Sequence, residues 1–232
     1  MKSISRRRMV ALLSSAPLVG GLLTGVAQAQ EQGGEAQAPP QRKWREVSGR
    51  ERFREKHFPD VILTTHEGKK VRFYEDLMKD KLFILNFMYA KCDNICPPIT
   101  NNLLRVQKAL GDRVGKDIFI YSFTLKPEVD TPEKLAEYAK MHKTQPGWLF
   151  LTGSPKDMEL LRRKLGFVYP DPKIDVDDSQ HIGNLRYGNE ALQMWGACPG
   201  LSRAGFIAES VLWLDWPENK KERAGKERAN HE

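Results

Sequence analysis

Apolar residues fall in three short uninterrupted blocks, separated by segments with helical spacing. Leu82-Phe83-Ile84-Leu85-Asn86-Phe87-Met88, Ile118-Phe119-Ile120-Tyr121-Ser122-Phe123 and Trp148-Leu149-Phe150-Leu151 are the blocks. Each has strand length and no polar face, which predicts strands buried on both sides. Ahead of them, Val61-Ile62-Leu63-Thr64 reads as a strand, His66-Glu67-Gly68 as a turn and Val71-Arg72-Phe73 as its return. Between the blocks, Ile99, Leu103, Val106 and Leu110 predict a helix over 97–110, ended by Gly111. Thr131 followed by Pro132 predicts a capped helix with Leu135, Tyr138, Ala139 and His142 on one face. Ser154-Pro155 opens another, through Leu165, with Asp157 placed to bond back to the cap. Residues 181–197 are weakly patterned, and 201–214 read as a final amphipathic helix.

Strand and helix alternate, so the fold class is α/β, a mixed sheet flanked by helices. The globular domain is expected over residues 60–216. Residues 30–59 begin with Gly33-Gly34 and Pro39-Pro40 and read as a flexible tether. Residues 217–232 mix bases and acids without an apolar face and read as a solvated tail.

Charge changes the picture only at the amino terminus. Of the net +7, residues 1–29 supply +4 from Lys2, Arg6, Arg7 and Arg8, leaving +3 for the other 203 residues. That balance predicts no nucleic-acid partner. The basic start, the uncharged run from Met9 to Val26 and Ala27-Gln28-Ala29 form an export signal over 1–29. Ser5-Arg6-Arg7-Arg8-Met9-Val10 has the twin-arginine shape. The domain is therefore expected in the periplasm or another extracytoplasmic, oxidising compartment, at the membrane only if the signal is kept as an anchor.

In that compartment Cys92-Asp93-Asn94-Ile95-Cys96 is the segment with most chemistry. It joins a buried strand to a helix start, where N–H groups and the helix dipole favour a thiolate. Helical Cα atoms four residues apart are roughly 6 Å from each other, so the pair can close as a disulfide or hold a metal. A structural staple is disfavoured because so small a loop removes little chain entropy. Zinc would need more local ligands, and no haem-attachment motif occurs. Two thiolates suit copper(I), and an added imidazole admits copper(II). Among five histidines, His57 lies in the tether, His231 in the tail, His66 in a solvated turn and His142 on a packed helix face. His181 lies in a polar loop leading toward the last core segment, and the residues alone leave the third donor open. Cys198 reads as a small, partly buried residue, and Trp195, Trp213 and Trp216 as packing for the last helix.

The run Asn86-Phe87-Met88-Tyr89-Ala90-Lys91-Cys92-Asp93-Asn94-Ile95-Cys96-Pro97 resembles the signature of the Sco/SenC family. Pro127-Glu128-Val129-Asp130-Thr131-Pro132 resembles its second block, and Asp178-Ser179-Gln180-His181 stands where the family has its copper-binding histidine. The resemblance covers residues 60–190. It implies a thioredoxin-like fold, copper held by Cys92, Cys96 and His181, and delivery to the copper-bearing subunit of a respiratory oxidase. It also admits a thiol–disulfide oxidoreductase in which Cys92 and Cys96 are the redox pair and keep the acceptor's cysteines reduced. The chain departs from the family pattern at Asp93, where many members have Pro, and at Leu125-Lys126. It departs again over 183–189, where the family has a short strand pair. Another exported copper protein is therefore an alternative acceptor.

Overall fold

The computed structural model describes residues 48–92, 94–175 and 183–215. The stretches read from sequence as export signal, most of the tether and the charged tail, together with His181 and Trp216, lie outside these residues. The elements are α1 (Gly49–His57), β1 (Ile62–Thr65), β2 (Lys70–Arg72), β3 (Leu82–Met88), α2 (Cys96–Leu110), β4 (Ile118–Thr124), α3 (Pro132–Met141), β5 (Trp148–Thr152), α4 (Pro155–Lys164), the single turn α5 (Pro172–Asp175), β6 (Asn184–Asn189), β7 (Met194–Pro199) and α6 (Ala204–Trp213). Among the described residues no helix is long and apolar enough to cross a membrane.

Seven strands make one mixed sheet in the order β2-β1-β5-β4-β3-β6-β7. β3, β4 and β5 run parallel, while β1 on one side and β6 on the other are antiparallel to their neighbours. All seven residues of β3 are buried. Successive side chains of a strand point to opposite faces, so β3 serves two cores. Leu82, Ile84 and Met88 pack with α2, α3 and α6, whereas Phe83, Leu85 and Phe87 pack with Phe73, Tyr121, Phe123 and α4. On the first face Trp148 Nε1 donates to Ser122 Oγ (2.9 Å) and Ser122 Oγ donates to Asn86 Oδ1 (2.7 Å). The polar atoms inside these buried strands are thereby satisfied. Two helix caps lie where the sequence predicts them: Thr131 Oγ1 accepts from Lys134 N–H (3.4 Å) and Ser154 Oγ from Asp157 N–H (3.1 Å).

Three expectations change. Residues 49–57, read as tether, are a helix. Its N-cap is Ser48, whose Oγ accepts from Glu51 N–H (3.1 Å). No residue of α1 is fully buried, so nothing in its own pattern announces a packed face. Its order comes from elsewhere in the chain. Phe53 stacks on Trp195 at 4.9 Å, and Arg50 Nε donates to Glu190 Oε1 at 2.8 Å. The weakly patterned stretch 181–197, with its departure from a strand pair over 183–189, supplies most of the hairpin β6–β7, which runs over 184–199. Gly188 and Gly196 break its alternation, and both are seats for rings across the hairpin. A Cβ on Gly188 would come within 2.2 Å of Trp195, and one on Gly196 within 2.3 Å of Tyr187. Trp195 consequently packs on Phe53, Phe58 and Phe83 rather than on the last helix, and Trp213 is exposed.

Glu190, 1% exposed in the β6–β7 turn, accepts from Arg50, from Tyr74 OH (2.9 Å) and from Asp80 N–H (2.9 Å). Burial pushes its carboxyl up, but the Arg50 guanidinium and the other two donors outweigh it and hold the group below its ordinary value. A folded-state value below the unfolded one stabilises above the glutamate range and is lost as pH falls through the folded value. Glu190→Gln should therefore destabilise the domain by about 1–3 kcal/mol at pH 7. The difference from the parent should shrink as pH drops below about 4. Urea unfolding of both proteins at pH 7 and in acid checks it, and a pH-independent difference would refute the assignment.

Candidate metal and redox site

The chain leaves β3 at Met88 and must turn sharply to enter α2 at Cys96. The turn is held from below by Asp130, a carboxylate 2% exposed just ahead of α3. Its Oδ2 accepts from Ala90 N–H (3.0 Å) and from Thr124 Oγ1 (2.6 Å). Cys92 N–H then donates to Tyr89 O (3.3 Å), closing the turn. The Lys126 ammonium lies 4.5 Å from the centre of the Tyr89 ring.

α2 begins with Pro97 and Pro98, whose missing N–H groups are no loss in a first turn, and Ile95 at its N-cap has no side-chain acceptor. The Cys92 sulfur fills that role. It is hydrogen-bonded by the N–H groups of Asn94 and Cys96, by the Cys96 thiol and by the Tyr89 side chain. Burial pushes the Cys92 thiol up, but these donors together outweigh burial and leave it below its ordinary value. Burial and the shared hydrogen bond with Cys92 push Cys96 far above the thiol range. The two sulfurs are thus unequal, with Cys92 the better thiolate. Both cysteines are free thiols, 4% and 2% exposed. They belong to the same buried cluster as Met88, Ile99, Leu185 and Cys198, so the pair is part of an apolar wall. One turn further along α2, Thr100 Oγ1 is 2.9 Å from Tyr138 OH, whose phenol burial pushes up to about 12.

The opposite side of the site is set by the hairpin. Gly200 N–H donates to Gly183 O (2.8 Å), and Asn102 Nδ2 of α2 donates to the carbonyls of Gly200 (2.9 Å) and Ser202 (2.7 Å). Gly183 is pressed on α2 so closely that a Cβ there would lie 2.4 Å from Ile95 Cδ1. The entry of β6 and the exit of β7 are therefore fixed beside the first turns of α2.

The sequence-predicted pair Cys92 and Cys96 is brought together. The third predicted donor, His181, lies outside the described residues. Among the described residues no group of three His, Cys, Asp or Glu side chains could hold a metal ion. His142 behaves as expected: it ends α3 with its ring 4.3 Å from that of Tyr138. His66 differs from the expected solvated turn residue. Its Nδ1 accepts from Phe150 N–H (3.2 Å), and burial lowers its basicity, so it works as an edge fastener between β1 and β5. Sequence reasoning missed Asp130. The acid lies inside the second block, but only the fold reveals that it reaches a backbone N–H forty residues away.

A family model described as SCO1/SenC matches residues 50–211. A SCO1 protein homolog of Bacillus subtilis is 33% identical over 88 residues, 38% of this chain and 44% of that protein. A Stutzerimonas stutzeri protein named for copper binding is 27% identical over 134 residues, 57% of this chain and 64% of that protein. The chain thus spans about half the length of these relatives. A solved structure of Arabidopsis thaliana ScoI with copper bound superposes with a TM-score of 0.56 at 22% identity, covering 68% of this chain and 98% of that one. That likeness carries the fold, the thioredoxin-like arrangement of sheet and helices.

Two outcomes follow from the turn. With Cys92 the better thiolate, iodoacetamide should modify Cys92 before Cys96, as read by peptide mass spectrometry. Asp130→Ala leaves Ala90 N–H and the Thr124 hydroxyl without their acceptor. It should lower stability by about 2–4 kcal/mol in urea unfolding. A loss within experimental error would show that the carboxylate does not hold the turn.

Proposed function

This chain belongs to the SCO1/SenC family, and we propose that it is an exported copper carrier. Copper is its cargo, held by the Cys92 and Cys96 thiolates and the His181 imidazole. The acceptor is the copper-bearing subunit of a respiratory oxidase or another exported copper protein. The observation that carries this reading is the buried, reduced pair at the start of α2, with N–H donors turned on the Cys92 sulfur. Two soft donors in an apolar wall suit copper(I), and one imidazole extends the set to copper(II). His181 is supported by its neighbour. Gly183, two residues along, rests on Ile95 beside Cys96, and two residues reach about 7 Å. Three ligands leave room for an incoming thiolate to start an exchange, and protonation of the donors in acid favours release.

A second reading has one observation of its own, the inequality of the two thiols. The Cys92 thiolate attacks an acceptor disulfide, forming a mixed disulfide and releasing one acceptor thiolate. Cys96 gives up its proton and attacks the Cys92 sulfur. The Cys92–Cys96 disulfide forms, the second acceptor thiolate leaves, and two electrons have passed to the acceptor. Turnover of a peptide disulfide by metal-free protein would favour this reading.

Copper titration of the reduced protein tests the first. Cys92→Ala and Cys96→Ala should each weaken copper(I) binding more than about 100-fold. His181→Ala should weaken copper(II) far more than copper(I) and alter the sulfur-to-copper absorption. His142→Ala, the matched control, should lose some stability through its contact with Tyr138 and leave the spectrum alone. Wild-type affinity in either cysteine variant, or a spectrum governed by His142, would overturn the ligand set. Export by the twin-arginine route predicts that replacing Arg6 and Arg7 with Lys retains the protein in the cytoplasm, read by fractionation.

A further inference from the structure

Behind the sheet, on the face away from the cysteine pair, a recess of about 300 Å³ opens between α1, the end of α4 and the β6–β7 hairpin. Its floor is Phe83 and Leu85 of β3, whose flanking residues Leu82 and Ile84 face the cysteine side. Its wall is largely aromatic and continuous: Phe53 stacks on Trp195 at 4.9 Å, and Phe58 meets Phe53 and Trp195 edge-on at 5.7 and 5.3 Å. Three basic side chains, His57, Lys164 and Arg186, also line it, and no acidic one does.

Arg186 separates this recess from an ordinary packing gap. One of its nitrogens, Nη2, donates to Gly166 O at 2.8 Å, and its guanidinium carbon lies 5.6 Å from the centre of the Phe167 ring. Its Nε is buried and has no hydrogen-bond partner. No carboxylate pairs with it among the described residues. Other partly buried arginines are paired differently: Arg162 meets Asp175 and Glu159, and Arg113 meets Asp117 and Asp215. A guanidinium held in an aromatic wall without a counter-ion is an unfavourable arrangement that an anion would relieve. Lys164, at the rim, spends one donor on Lys56 O (3.0 Å) and has others free to face an anion.

We propose that this recess binds a small aromatic carboxylate. The carboxylate sits on Arg186 with Lys164 beside it, and the ring lies against the joined surface of Phe53, Phe58 and Trp195. The volume is at the small end of ligand pockets, which limits the body to one or two rings. Flat apolar walls favour an aromatic body. A guanidinium that spends one of its five N–H donors on Gly166 O and meets no carboxylate among the described residues matches a planar monoanion. The site shares no residue with the cysteine pair, so the proposal stands apart from the copper reading.

The test uses the whole chain in its reduced, metal-free form, with 1-naphthoate as probe and the uncharged 1-naphthamide as its match. Calorimetry gives affinities. The indole N–H resonance of Trp195, assigned with Trp195→Phe, reports the location. Naphthoate should bind one to one, move the Trp195 resonance and raise the melting temperature. Naphthamide should bind at least about 10-fold more weakly. Arg186→Gln should bring naphthoate down to the level of naphthamide while leaving naphthamide binding unchanged. Should that variant fail to fold, Lys164→Gln at the exposed rim should still weaken naphthoate and not naphthamide. Absence of saturable naphthoate binding up to millimolar concentration would overturn the proposal. So would equal affinity for acid and amide, an unmoved Trp195 resonance, or undiminished naphthoate binding in whichever variant folds.

Discussion

A single buried carboxylate governs the geometry of the cysteine turn. The polypeptide has to reverse from a strand buried on both faces into a helix that starts on two prolines, and the turn between them has few regular backbone partners. Asp130 supplies one from outside, accepting from Ala90 N–H while Thr124 holds the same oxygen. With the turn fixed, the Cys92 sulfur falls where the N–H groups of Asn94 and Cys96 hydrogen-bond to it. The helix cap and the reactive thiol are then one group, and the inequality of the two sulfurs follows from the same contacts. Local backbone satisfaction and chemical activation are not separate achievements here.

The sheet divides the molecule into two chemically distinct halves. The period of two along β3 sends Ile84 and Met88 to the side with the thiols, α2 and α6, and Phe83 and Leu85 to an aromatic side with α4 and α1. The thiol half is closed by hydrogen bonds from α2 to the exit of β7. The aromatic half is closed less completely, by a helix with no fully buried residue, and the recess lies there. Two sites with different chemistry can share one strand because adjacent residues never share a face.

The central elements could be read directly because their signals are local. Unbroken apolar runs marked β3, β4 and β5, and Thr131 and Ser154 marked their helix starts. The cysteine pair was legible for the same reason, since spacing and position alone place both sulfurs at one helix end. What could not be read depends on distant partners. α1 has no apolar stripe and exists through Phe53 on Trp195 and Arg50 on Glu190. The β6–β7 hairpin hides its alternation behind glycines that seat rings from the facing strand. Asp130 looked like one more acid in a helix-start motif, and its role depends on where β3 ends. His66 looked like a turn residue because its partner, Phe150 N–H, is 84 positions away.

The contact between Arg50 and Glu190 joins positions 140 residues apart. It therefore decides where the folding unit can be cut. A fragment begun at residue 60, the border suggested by composition, would keep every strand and both cysteines. It would also leave Glu190 in its buried place with Tyr74 OH and Asp80 N–H but no cation, and strip Phe53 from the face of Trp195. The folded unit therefore takes in α1, upstream of its first strand, through Arg50 on Glu190 and Phe53 on Trp195.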